Sequence, residues 1–158
     1  MRSMRISFFL VAGMAALWTG CGPDSQPAAA PVAEKVASPK PADDSRFFPK
    51  TDLVETKVID SELMGKKFMP GGTLAHYKRG TVEFDMFVAK TTDGAYLLPD
   101  WSKVLTDAKL VASFGGYYGT DAGRPVFVFA RGKWIVGIAG LQEKDADAEA
   151  RVLANRIE

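Results

Sequence analysis

The sequence predicts an α+β domain, a mainly antiparallel sheet of about five or six strands with two helices packed on one face. Three observations lead there. Residues 81–90 place Val82, Phe84, Met86 and Val88 on one side of a strand and Glu83, Asp85, Phe87 and Ala89 on the other. Residues 110–141 hold apolar stretches broken by turn-forming Asp and Gly. Residues 145–157 repeat apolar groups at helical spacing.

Residues 53–59 form a weaker strand candidate, and the stretch to Gly71-Gly72 reads as irregular. Residues 73–78 are expected to pair with 81–90 through a turn at Arg79-Gly80. Thr92 is placed to cap a helix running towards Thr106, with Ala95, Leu98, Trp101 and Leu105 on its buried side. Pro99 must kink that helix or start a second helical piece, because proline removes an amide donor and crowds the preceding turn. A three-stranded meander of 110–118, 125–130 and 134–141 follows, turning at Thr120-Asp121-Ala122-Gly123 and at Arg131-Gly132-Lys133. Val126-Phe127-Val128-Phe129 is apolar on both faces and belongs inside the sheet. Gly137 and Ala139 share one face of the last strand and leave room for a helix to come close. In the final helix Ala146, Ala150, Leu153 and Ile157 form the apolar seam, and Asp147 and Arg151 make an i,i+4 pair.

This single domain is expected over 46–158, 113 residues that suffice for one core. Residues 22–45 differ abruptly, with five prolines, six alanines, no aromatic, and only Val32 and Val36 as larger apolar groups. Such a segment cannot bury enough surface to offset its ordering entropy. Residues 21–45 are therefore expected to be a flexible tether, reaching at most about 75 Å at roughly 3.1 Å per residue.

Residues 1–20 read as a secretory signal: two arginines within Met1 to Arg5, then thirteen uncharged, mostly apolar residues from Ile6 to Trp18, then small Thr19 and Gly20. Thirteen helical residues cover about 20 Å, short of a hydrocarbon core of about 30 Å, so a stable span is the weaker reading. Leu17-Trp18-Thr19-Gly20-Cys21 resembles the lipobox of bacterial lipoproteins, with Trp18 standing where a medium aliphatic residue is usual. The resemblance implies cleavage before Cys21, acylation of that cysteine, and attachment to a membrane. Gly22 after the cysteine resembles an outer-membrane sorting context in organisms with two membranes. Residues 71–157, through Val82 to Met86 and Gly132-Lys133-Trp134-Ile135-Val136, also resemble an uncharacterised bacterial domain family found in exported proteins. That family resemblance carries no specific motif and implies no activity.

The formal charge of +1 becomes −1 once Arg2 and Arg5 are removed with the leader. Neither value favours broad phosphate neutralisation, so no nucleic-acid partner is expected, nor electrostatic capture of a membrane or polyanion. One cysteine allows no intramolecular disulfide.

The domain has one histidine, His76, expected in a hydrogen-bonded structural role on a strand. No G-x-S-x-G elbow supports a catalytic set with Ser61 or Ser113. Zinc sites draw on several Cys or His, and Asp145, Asp147 and Glu149 lack the glycine and glutamate of a calcium loop, so no metal is expected. Those acids suit the start of a helix instead. Gly115-Gly116-Tyr117-Tyr118-Gly119 lacks a phosphate-loop ending, and no cofactor is expected. Glu83 and Asp85 point the same way along one strand, as on any solvated face.

Phe114, Tyr117, Tyr118, Phe127, Phe129 and Trp134 cluster in the meander. Most should be core. Tyr117 and Tyr118 are adjacent, so their rings should point to opposite faces, leaving at least one partly accessible as an interface anchor. The functional expectation is a non-enzymatic, membrane-tethered envelope lipoprotein that acts as an accessory or interaction module towards an envelope protein. The alternative is a small-molecule or glycan-binding module with an aromatic-lined cleft. A hydrolase built on acids alone has the least support.

Overall fold

A computed structural model of the chain describes residues 40–157. The leader expected over 1–20, Cys21 and the tether as far as residue 39 lie outside the described residues. Seven strands form one sheet: β1 (Leu53–Ser61), β2 (Pro70–Arg79), β3 (Val82–Lys90), β4 (Thr106–Val111), β5 (Gly116–Asp121), β6 (Arg124–Arg131) and β7 (Trp134–Ala139). Their spatial order is β1-β2-β3-β7-β6-β5-β4, with every neighbouring pair antiparallel. Two helices, α1 (Leu98–Val104) and α2 (Glu143–Ala154), follow β3 and β7. The α+β class is as expected; the strand count is seven rather than five or six.

The extra strand arises within the segment expected as one strand over 110–118. The chain reverses there, at residues 112–115, and the amides of Phe114 and Gly115 both donate to the Val111 carbonyl at 3.1 and 3.0 Å. Gly115 takes φ +63°, a left-handed conformation that glycine adopts without steric cost. What looked like one apolar run is the hairpin β4–β5.

The helices also depart from expectation, because they cover opposite faces of the sheet. α2 buries Ala146, Ala150 and Leu153 in the cluster that holds Phe84, Met86, Phe127 and Phe129. α1 buries Leu98 and Trp101 against Phe87, Val126, Val128 and Ile135 on the other side. The physical reason lies in the central strands. β6, β7 and the second half of β3 are apolar on both faces, and leaving either face bare would expose a large apolar surface.

α1 is shorter than the helix expected from Thr92. Asp93, not Thr92, supplies the cap, its carboxylate accepting from the Ala95 amide at 2.9 Å. A 3₁₀ turn at Gly94–Leu97 then leads into α1, with Pro99 in its first turn, where a missing amide costs no helical bond. Leu98, Trp101 and Leu105 are buried as expected, but Ala95 is exposed. Gly137 admits no helix directly. The ring of Phe87 from β3 fills the space above it and stacks on Trp101 of α1, centroids 5.8 Å apart. α2 begins two residues before the expected Asp145, and Ile157 is buried just beyond its end. Asp147 and Arg151 are joined on it by hydrogen bonds of 2.8 and 3.2 Å.

Packing against the sheet begins ahead of Arg46. The Asp44 amide donates to Thr73 Oγ1 at 3.0 Å, and the Thr73 hydroxyl donates to the Ala42 carbonyl at 3.3 Å. Phe47 and Phe48 are buried in the α2-side core, and the Tyr77 hydroxyl donates to the Pro49 carbonyl at 2.9 Å. The segment before β1 is thus laid along β2 at a fixed position. No helix among the described residues is long and apolar enough to cross a membrane.

Candidate functional site

A wide recess lies where β3 ends and β7 begins. Lys90 is the last residue of β3, Trp134 the first of β7, and the two are paired across the strands. The β6–β7 turn adds Gly132 and Lys133, the segment before β1 adds Arg46 and Phe47, and the end of the chain adds Arg156. Together these residues line an open cleft of about 750 Å³.

Its floor is apolar and its rim is cationic. Phe47 and Trp134 meet edge to face with centroids 5.1 Å apart, and each is less than a tenth exposed. The Arg46 guanidinium lies 4.7 Å from the Phe47 centroid and the Lys90 ammonium 5.6 Å from that of Trp134, so ring quadrupoles hold two of the charges in place. Asp44 is the nearby acid, and its carboxylate already pairs with Arg46 at 3.3 Å. Burial raises the Asp44 carboxyl above its ordinary value, while Arg46 and Lys90 pull it down. Among the described residues Lys90, Lys133 and Arg156 form no ion pair within 4 Å. An adjoining recess that shares Lys90 is mixed in charge, lined by Lys40, Asp44 and Asp60 among others. Four uncoordinated sequence positions thus converge on one cleft suited to an anion. Nothing local in the sequence signals this, and the near-neutral total charge conceals it.

A second polar group sits at the other end of the sheet, on the α1 side. His76 faces Asp85 across β2–β3, with Nδ1 2.7 Å from Oδ1. Arg124 of β6 donates to the other carboxylate oxygen at 2.6 Å and to the Ala139 carbonyl at 3.1 Å. His76 therefore has the hydrogen-bonded place expected of it. Asp85 is engaged through both oxygens, and Glu83, two residues away, pairs with Lys78 at 2.9 Å. That bond and the Lys78 charge hold the Glu83 carboxyl below its ordinary value. Neither Ser61 nor Ser113 is hydrogen-bonded to His76; Ser61 lies opposite Pro70 and Ser113 in the β4–β5 turn. The acids considered for calcium are spread among cations instead. Asp147 binds Arg151, and Glu149 binds Arg79 at 2.8 Å. No group of three or more His, Cys, Asp or Glu among the described residues is arranged to hold a metal.

Tyr117 and Tyr118 do point to opposite faces, each half-buried. Tyr118 joins the α2-side core and Tyr117 the α1 side. Tyr118 lies beneath an ion pair between Lys109 and Glu143, the Lys109 ammonium 5.9 Å from its ring. Burial, then the Glu143 charge, raise its hydroxyl above the ordinary tyrosine value. Tyr117 stands opposite Leu110 of β4, which is 62% exposed, so these two share an apolar patch at the sheet edge. Of the other aromatics singled out, Phe127, Phe129 and Trp134 are core and Phe114 packs against it. No family model matches the chain, and comparison with curated proteins and with solved structures found no match either.

Proposed function

We propose that this chain is a membrane-tethered envelope lipoprotein, acylated at Cys21, whose folded domain serves as an interaction module. The observation that carries the reading is the single cysteine placed directly after a charged and then apolar leader. The anchoring of residues 42–49 along β2 supports it, because a tethered domain then leaves its tether from one defined point. Two surfaces are available for recognition, the cationic cleft around Trp134 and the Leu110–Tyr117 patch. Neither the His76–Asp85–Arg124 group nor the paired acids brings together a nucleophile and a base, which leaves the non-enzymatic reading ahead.

A glycan-binding cleft has less support. Sugar rings stack on open aromatic faces, and Trp134 and Phe47 are both nearly enclosed beneath cations.

Fractionation of bacterial cells tests the proposal. The mature protein should partition with membranes and begin, by mass spectrometry, at an acylated Cys21, while Cys21→Ser should be unprocessed or released. An unmodified cysteine, or cleavage elsewhere, removes the anchor from the account.

A further inference from the structure

We propose that the cleft formed by Arg46, Lys90, Lys133 and Arg156 binds the phosphate of anionic lipid headgroups, docking the domain on the membrane that carries its anchor. The inference rests on the tethered reading and adds a second, electrostatic contact to it.

Three features converge on a phosphate-bearing surface. Among the described residues the cleft gathers four cations, and the nearby Asp44 carboxylate is already engaged by Arg46. Two of the cations, Arg46 and Lys90, stand over the buried Phe47–Trp134 pair, a low-dielectric floor that strengthens their attraction for an anion relative to open solvent. Arg131, opposite Trp134 on β6, opens into a neighbouring recess and extends the positive rim. The cleft is open rather than enclosed, so a headgroup in a bilayer plane can reach it.

Geometry supplies the choice of source. Arg46 and Phe47 both line the cleft and belong to the segment through which the chain arrives from Cys21. Eighteen residues, 22 to 39, separate the cysteine from the first described residue. Eighteen residues of any conformation span at most about 60 Å. The cleft is thereby confined near the bilayer, and binding there becomes an intramolecular event at high effective concentration. Weak individual contacts suffice under those conditions. A free anion has no such advantage.

Vesicle co-sedimentation of the mature chain, residues 21–158 carrying Cys21→Ser, tests this without the leader or the acyl anchor. Binding to pure phosphatidylcholine vesicles is compared with binding to vesicles containing about a third phosphatidylglycerol. The preference for anionic vesicles should fall roughly twenty-five-fold in Lys90→Ala/Lys133→Ala at low ionic strength, at about fivefold for each cation near the surface. Lys57→Ala/Lys78→Ala removes the same charge from β1 and β2, outside the cleft, and should leave the preference nearly intact. Equal losses in the two pairs, or none in either, overturn the proposal. A melting shift with millimolar inorganic phosphate, lost in the cleft variant, together with no vesicle preference, would instead assign a small-anion site and also overturn it. Lys133→Ala alone, in an exposed turn, guards against a folding defect in the double variant. The anchor is scored separately on uncharged vesicles, where the acylated protein binds and Cys21→Ser does not.

Discussion

Phe87 and Gly137 face each other across β3 and β7, and the Phe87 ring occupies the volume that a side chain at 137 would need. The same ring stacks on Trp101, so one glycine sets how closely α1 approaches the sheet. Gly137→Ala should therefore destabilise the domain by about 1–3 kcal/mol through overpacking. Adding Phe87→Leu should recover part of that loss. Chemical denaturation of the two single variants and the double variant checks this, and strictly additive losses would show that the two residues are not coupled.

Asp85 joins His76 and Arg124, from β2 and β6, through two charge-assisted contacts. Asp85→Ala should cost about 1–3 kcal/mol, since it strands a half-buried guanidinium and an imidazole. Asp85→Asn should cost less, because one amide oxygen still accepts from Arg124. Urea melts of both variants give the order, and equal losses would mean that the amide oxygen recovers nothing and that both contacts require the ionised carboxylate.

The Asp44 carboxyl is raised above its ordinary 3.8, chiefly by burial, so the folded state holds that proton more firmly than the unfolded chain does. Ionising it costs the fold, and the parent should lose a small increment of stability as pH rises from below 3.8 through the raised folded value. Asp44→Asn cannot ionise. Its stability relative to the parent should therefore improve across that rise. Denaturation at a series of pH values measures the difference, and a relative decline would reverse the sign argued for burial.

Tyr117 and Tyr118 divide two roles between opposite faces. Tyr118, packed beneath the Lys109–Glu143 pair, should lose about 2–4 kcal/mol of stability on truncation to alanine, less than a fully enclosed aromatic would. Tyr117→Ala should cost less stability and should weaken capture of an envelope protein that uses the Leu110–Tyr117 patch. An anchor residue of that kind is commonly worth about 2 kcal/mol, near thirtyfold in affinity. Thermal melts and crosslinked pull-down from envelope extracts separate the two effects. Unchanged capture with Tyr117→Ala would leave this patch without a role.

Much of the secondary structure was legible because it is written in spacing between near neighbours. The alternation through β3, the doubly apolar run of β6 and the seam of α2 each report a local relation that the backbone period turns into a face. The hairpin β4–β5 was not legible, since Gly115 and Gly116 can lie within a strand as readily as in a turn, and only the fold shows the reversal at Gly115. Nor was the side of the sheet that each helix would take, although the enclosure of β6 on both faces already required cover above and below.

By itself the sequence determined the class of fold, the periodic elements and the expectation of a leader ending at Cys21. The tertiary structure alone decided the gatherings. By laying β7 between β3 and β6, it sets Lys90 beside Trp134 and lets Arg124 reach Asp85. Bringing the two ends of the domain to the same place adds Arg46 and Arg156. Local periodicity says which way a residue points relative to its neighbours; only strand order says what it meets. Charges that nearly cancel along the chain are thus sorted in space, and the cationic cleft exists only in the folded molecule.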